Sequence, residues 1–411
     1  MENKRLPLLN VNLRWFILAM ILANIAGQMA YSMMSLYLIS LGANVGQVGM
    51  VYTLASLIPI VLQIFGGWLS DTIGRLRAIA IGSGISVFGY LFFVISPSWQ
   101  WVLLGLTVEY ISSSFVAPSF SSYIAEQSDA ANRGKVYGLS SGIYMVVTVI
   151  GPALAGFLAY RYNFRAMLLA AFGFYFLATL VRVWMAFSER FKASHKDGIP
   201  TLRGLTTQLK AIFILLTAGG VLTWVWITDA IGDTSFNLTA NLFPIYLSKI
   251  GHLTVEQIGL LGSAWGLASI AGSFLGGWLV DKRSERTVLA GGFLLVAISL
   301  GVMMIARDQA VFLLSRLLNG LGEGILMPSY NSLISKVVPE EKRGLAFGFL
   351  GTSLGILSLP MPWIGARLWE GFTPQTPFWI TAAFCLVTVP IAWFKFVLPK
   401  NTASEAAPQL D

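Results

Sequence analysis

The sequence predicts an all-α membrane protein in which twelve transmembrane helices form two pseudo-symmetric six-helix bundles. Three observations carry this. Apolar residues fill 56% of 411 positions and charged residues 11%, with a mean hydropathy of +0.72; so few charges cannot cover a water-facing surface, and lipid is the solvent that suits the rest. Apolar runs of about 20 residues, the length a bilayer-crossing helix needs, recur along the chain. Sequence blocks also repeat at one nearly constant offset, so the second half copies the plan of the first.

In the first half the runs fall near 14–41, 46–70, 77–96, 100–125, 136–159 and 165–187. The run at 14–41 is too long for a signal-peptide core and lacks a convincing cleavage site, so it reads as a retained first span. After a polar stretch, further runs lie near 211–247, 257–280, 287–306, 311–336, 344–369 and 376–398. The expected organisation is an N-terminal bundle over 1–187, a cytoplasmic central loop over 188–210, a C-terminal bundle over 211–398 and a cytoplasmic tail over 399–411.

The formal charge of +8 gains meaning from where its basic residues lie. Of 27 Lys and Arg, 21 fall to the even-numbered connections, the central loop and the tails. Five (Arg161, Arg165, Lys249, Arg307 and Arg367) fall to the odd-numbered connections, and Arg316 lies inside a span. Basic residues stay on the cytoplasmic side, which predicts a multi-pass cell-membrane protein with both termini in the cytoplasm. No basic face interleaved with aromatics appears, so no nucleic-acid partner is expected. The single cysteine, Cys385, excludes a disulfide framework or a thiolate metal cluster, and both histidines, His195 and His252, sit in loops. No metal site, catalytic constellation or cofactor is expected.

The repeat is specific. Phe65-Gly-Gly-Trp-Leu-Ser-Asp71 recurs as Leu275-Gly-Gly-Trp-Leu-Val-Asp281, an offset of 210. The same offset carries Ala117-Pro-Ser-Phe120 onto Met327-Pro-Ser-Tyr330, Arg133-Gly134 onto Arg343-Gly344, and Gln47 and Gly49 onto Gln257 and Gly259. An offset of 209 brings Asn24 onto Asp233 and Gln28 onto Asn237. Two parallel six-helix repeats imply a solute site at their interface near the bilayer midplane, exposed alternately as one half rocks against the other.

Over nearly its whole length the chain resembles the major facilitator superfamily, most closely its twelve-helix drug–proton antiporter branch. The segment Gly67-Trp-Leu-Ser-Asp71-Thr-Ile-Gly74-Arg75-Leu-Arg77 is similar to the superfamily's signature after helix 2, and Gly277 through Asp281 to Arg286 is a degraded second copy with Ser284 and Glu285 in place of Gly74 and Arg75. The resemblance implies that Asp71 faces the start of helix 11, near residues 344–348, and that Arg75 pairs with an acid ending helix 4, here Glu126, as a latch of the outward-open state. In helix 5, Ile150-Gly151-Pro152-Ala-Leu-Ala-Gly156 resembles the antiporter Gly-Pro motif, with Val147 where that motif usually has glycine. Many proton-coupled relatives carry an arginine in helix 4. Leu106 stands there, and the repeat shows an arginine only at Arg316 in helix 10.

Ionisable groups at membrane depth are costly and therefore default to function. Glu109, Asp229, Asp233 and Glu323 are the candidates for proton coupling, because a carboxyl group withdrawn from water can exchange its proton near neutral pH. One charge crossing the membrane yields about 2.3 kcal/mol per 100 mV, enough to support roughly a forty-fold gradient. Spacing of four puts Asp229, Asp233, Asn237 and Asn241 in one stripe. Asn24, Gln28, Tyr31 and Ser35 are the matching positions of helix 1, and Arg316, Asn319, Glu323 and Tyr330 share a face of helix 10. With Trp265 from helix 8, these stripes predict a common cavity. Acids in an apolar cavity suit lipophilic cations.

The leading expectation is a monomeric, proton-coupled exporter of amphipathic small molecules that uses a proton or ion gradient. The alternatives are an uptake symporter or facilitator, in which Arg316 binds an anionic solute, a non-transporting sensor, and an intramembrane enzyme. The last is disfavoured because Asp229 and Asp233, the nearest approach to a catalytic pair, lie on one helix.

Overall fold

In the computed structural model the described residues are 9–128, 132–188, 220–338 and 340–396; the predicted central loop beyond Ser188, the first part of the seventh run and the C-terminal tail lie outside them. The described residues form helices and turns without a strand. The N-terminal half comprises α1 (Val11–Ser40), α2 (Val45–Ile73), α3 (Arg75–Ile95), α4 (Trp99–Gln127), α5 (Arg133–Arg161) and α6 (Phe164–Ser188). The C-terminal half comprises α7 (Val221–Thr239), α8 (Phe243–Lys249), α9 (Val255–Lys282), α10 (Glu285–Ile305), α11 (Gln309–Val337), α12 (Glu340–Ser358), α13 (Met361–Gly371) and α14 (Thr376–Lys395). Among the described residues nine helices are long and apolar enough to cross a bilayer, and α2 contributes a further apolar stretch at Val45–Pro59.

Helix starts follow from local chemistry. Asn44 accepts the Gln47 N–H at 2.7 Å while the Gln47 side chain accepts the Asn44 N–H at 2.9 Å. Thr254 and Gln257 build the same reciprocal cap on α9. The Gln47 and Gln257 match in the repeat is therefore one helix start used twice. Gly74 joins α2 to α3 at φ +96°, a conformation that demands glycine. At the corresponding Ser284 the backbone is extended at φ −77°, so the second copy of the signature has no need of one.

Two expected spans differ from prediction. The seventh and eleventh runs are each broken into two helices, α7 and α8, and α12 and α13. Pro244 lacks the N–H that would bond back to Ala240, and Pro360 and Pro362 remove two further such bonds near Ser358. Pro59, Pro118, Pro152, Pro328 and Pro390 remain inside helices.

The halves share one packing plan. In the first, α2 and α3 pack on α4, and α1 and α3 on α6; in the second, α9 and α10 pack on α11, and α7 and α10 on α14. Across the interface, α5 meets α9, α2 meets α13, and α1 touches α8. The first two contacts are pseudo-symmetric equivalents and both rely on glycine. A Cβ on Gly259 would lie 2.5 Å from the Pro152 carbonyl oxygen and 2.8 Å from the Gly156 Cα. One on Gly49 would lie 2.3 Å from the Pro362 carbonyl oxygen. These contacts use the end of α5 and the beginnings of α2 and α9, so the halves are joined at the end of the bundle far from the chain termini. Toward the tail end Gly134, Gly138, Gly142 and Gly277 face open space.

Gly259→Ala should therefore lower the thermal unfolding midpoint of the purified protein, with an overpacking cost of about 1–3 kcal/mol, whereas Gly142→Ala should leave it unchanged or slightly higher.

Candidate substrate cavity

A cavity of about 310 Å³ lies between the halves. Gln28 and Tyr31 enter it from α1, Pro152 from α5, Asn241 from the break between α7 and α8, Trp265 from α9, and Arg316, Asn319 and Glu323 from α11. Tyr31 is 58% exposed, an unusual state for a central aromatic unless it faces a void. Gln28 donates to the Tyr144 hydroxyl of α5 at 3.3 Å.

The charged groups of the cavity are held by aromatic rings. Arg316 places its guanidinium 4.5 Å from the Phe243 ring centroid and 5.6 Å from that of Trp265. Its Nη1 donates to Asn319 Oδ1 at 3.3 Å, and its buried Nε has no partner among the described residues. Trp265 Nε1 donates to Glu323 Oε2 at 3.2 Å. Arg316 and Glu323 share a wall yet form no ion pair among the described residues, and Trp265 contacts both.

Other candidates lie elsewhere. Asp233 accepts from Ser358 across the α7 and α12 contact, and Asn237 donates to the Asp233 carbonyl at 2.9 Å. Neither these two nor Asp229 line the cavity. Asn24 spends its amide on the Met20 carbonyl at 2.9 Å. Tyr330 is buried outside the cavity, donating to Thr228 at 3.0 Å and meeting Phe293 edge-on. Glu109 opens into a separate cavity of the N-terminal half. In helix 5, Gly151 lets α1 approach, since its Cβ would lie 2.4 Å from that of Gln28, and Gly156 faces Gly259.

At the tail end, Arg75 Nε meets Glu126 Oε1 at 3.0 Å, and Arg75 Nη1 donates to Ser70 at 3.0 Å. The side chains around Gly67 and Asp71, and those at 340–345, are outside the described set, so the expected contact of Asp71 with helix 11 is too. Gly277 and Asp281 stand open or exposed.

Three charged groups have partners that sequence reasoning did not assign. Glu285 pairs with Lys336 and accepts from Ser332 at 3.0 Å. The offset of 210 carries Arg75 onto Glu285 and Glu126 onto Lys336, so the second half keeps the same ion pair with its charges exchanged. The repeat contained this signal. Arg182, counted above with the tail-side charges, is instead 4% exposed within α6, where it donates to Ser83 Oγ at 2.7 Å and lies 5.9 Å from the Tyr175 ring centroid. Glu370 of α13 accepts the Gly46 N–H at 2.7 Å and so caps α2 across the two halves.

A duplicated helical bundle with a polar cavity between its copies defines a multi-pass membrane transporter. The sequence profile of the Major Facilitator Superfamily matches residues 16–251 and 225–410, and the chain belongs to that superfamily. It is 26% identical over 353 residues to the multi-drug resistance efflux pump PmrA of Streptococcus pneumoniae serotype 4 (strain ATCC BAA-334 / TIGR4), spanning 83% of this chain and 84% of that protein. It is 24% identical over 370 residues to the PmrA homolog of Lactococcus lactis subsp. lactis (strain IL1403), spanning 88% and 89%. The fold is shared with a mutant form of the nucleoside transporter NupG, at a TM-score of 0.77 and 13% identity over 94% of this chain and 100% of that one.

Glu285 is buried but its partner Lys336 is half exposed, so solvent screening brings the cost of breaking the pair below the ~3–5 kcal/mol of a fully buried one. Lys336→Glu, which sets two acids together, should lower the unfolding midpoint, and the exchanged pair Glu285→Lys with Lys336→Glu should recover most of the loss.

Proposed function

We propose that the protein exports amphipathic organic cations across the cell membrane in exchange for protons. The observation that carries this is the Glu323 carboxylate. It lies in an aromatic-walled cavity, bonded to Trp265 and free of any ion pair among the described residues. A carboxylate so placed can hold either a proton or a cationic substrate, and that competition is what antiport requires. The efflux pumps to which the chain is similar support the same direction of transport.

Coupling is assigned to Glu323 first and Asp233 second, because the Asp233 bond to Ser358 ties α7 to the broken eleventh span. Asp229 and Glu109 are further proton sites. Gln28, Tyr31, Trp265 and Asn319 form the substrate wall, with Asn24, Asn237 and Tyr330 on neighbouring faces. The distribution of basic residues supports cytoplasmic termini, and with that orientation the joined end is external and the structure faces inward. The Arg75 and Glu126 pair lies within the N-terminal half and is formed while the structure faces inward, so by itself it does not latch the outward-open state; with Asp71 it belongs to the cytoplasmic gate, and Gly151, Pro152 and Gly156 to the packing that transmits movement through α5. The working unit is a monomer with no enzymatic step.

A second reading is uptake of an anionic metabolite, favoured by the Arg316 Nε in the cavity wall, which has no partner among the described residues. The two separate in everted vesicles. Cationic dye transport driven by a pH gradient should fall at least about tenfold in Glu323→Gln, a loss of about 1.4 kcal/mol or more, and transport of every tested dye surviving collapse of that gradient would remove the exporter reading. Saturable, Arg316-dependent uptake of an anion would establish the alternative.

A further inference from the structure

The fold contains a second cavity beside the central one. Its volume is about 280 Å³, and it lies inside the N-terminal half between α1, α2, α3 and α4. Tyr31, Tyr52, Tyr90 and Tyr110 line it around one carboxylate, Glu109. No hydrogen bond or ion pair reaches that carboxylate from the described residues. Among the described residues the cation buried in this half, Arg182, is engaged by Ser83 and by the ring of Tyr175.

Two of the rings are fixed. Tyr90 stacks on Tyr175 with centroids 4.7 Å apart, and the Tyr52 hydroxyl pairs with Ser35 at 3.3 Å. The α4 backbone bearing Glu109 is held close to α3, since a Cβ on Gly89 would lie 3.2 Å from the Glu109 nitrogen. The chamber is the N-terminal counterpart of part of the central cavity, which Gly262, Leu300 and Asn319 line, but its chemistry differs. The offset of 210 carries Tyr52, Tyr90 and Tyr110 onto Gly262, Leu300 and Gly320, and Glu109 onto Asn319. The N-terminal half therefore has rings and a negative charge where its copy has small, aliphatic and neutral residues. Tyr31 lines both cavities.

An unpaired carboxylate among aromatic faces is the chemistry that recognises an alkylammonium ion, through charge and ring quadrupole together. The volume, just under the ~300 Å³ lower end of small-molecule sites, suits a compact head group rather than a polycyclic dye. We infer that this chamber is a second ligand site, taking the quaternary or tertiary ammonium group of a small organic cation, with Glu109 as its counter-charge and the tyrosine rings as its cage. The inference rests on the cation-exporter reading for the identity of the ligand class, and it assigns that class a second subsite beside the central cavity.

The test is equilibrium binding of radiolabelled tetraethylammonium to the purified full chain, with dye transport measured on the same protein in proteoliposomes. Saturable binding is expected. Glu109→Gln should weaken it about tenfold or more, Tyr110→Leu several-fold, and Tyr110→Phe, which keeps the ring, less than twofold. Glu323→Gln should remove only the central-cavity component of binding, leaving the Glu109-dependent component within twofold, while impairing dye transport. Absence of saturable binding, or binding by Glu109→Gln and Tyr110→Leu within twofold of the original protein, overturns the site. So does a loss confined to Glu323→Gln, which places the ion in the central cavity, or a Glu109→Gln effect limited to the pH dependence of transport. Tetraethylammonium binding that follows Glu109, in a protein whose dye transport ignores the pH gradient, upholds the chamber and rejects proton-driven export.

Discussion

The architecture depends on backbones of the two halves touching where no side chain intervenes. Lipid supplies no hydrophobic force between helices, so association relies on close packing and on small residues that permit it. At Gly156 against Gly259, and at Gly49 against Pro362, a single added carbon would collide with main chain. Between α5 and α9 the close approach runs from the far end to mid-helix, where a Cβ on Gly266 would lie 2.8 Å from the Thr148 carbonyl oxygen, and it stops short of the tail end. The cavity exists because the halves diverge from that approach. The joining contact borders the cavity itself, since Pro152, whose carbonyl Gly259 approaches, is part of the lining.

Much of this was legible in the sequence because the bilayer imposes few choices. Run lengths gave the spans, and the offset of 210 gave the symmetry that pairs α2 with α4 and α9 with α11. The stripes were a weaker guide. At 3.6 residues per turn a spacing of four drifts by about 40° at each step, so Asn237 is already turned by about 80° from Asp229. Asn241 lies past the end of α7 at Thr239, and the break before α8, not a helical face, brings it to the cavity while Asp233 faces Ser358 on α12. Tyr330 fails to reach it for a different reason: fourteen residues beyond Arg316, it lies about 21 Å farther along the helix. The breaks in the seventh and eleventh spans were written in Pro244, Pro360 and Pro362, but a hydropathy run does not register a missing N–H. Arg182 was hidden by its nearness to a basic loop, although its guanidinium turns inward to Ser83.

Glu370 shows how a joined end can remain reversible. Its carboxylate meets the Gly46 N–H at the positive end of the α2 dipole, an interaction worth about 0.3–1 kcal/mol where it is exposed. With glycine packing beside it, this cap favours one arrangement of the halves without fixing it. A carrier needs contacts of this size, since each must be made and broken in every cycle.

The exchanged ion pairs carry a consequence for how the chain is assembled. Helices emerging from a duplicated sequence could dock onto the wrong copy, because the apolar faces of the two halves are built alike. Placing α3 beside α11 would bring Arg75 against Lys336, and placing α10 beside α4 would bring Glu285 against Glu126. Both mismatches set like charges together at the bundle's edge. Polarity reversal thus disfavours docking of a helix onto the wrong copy.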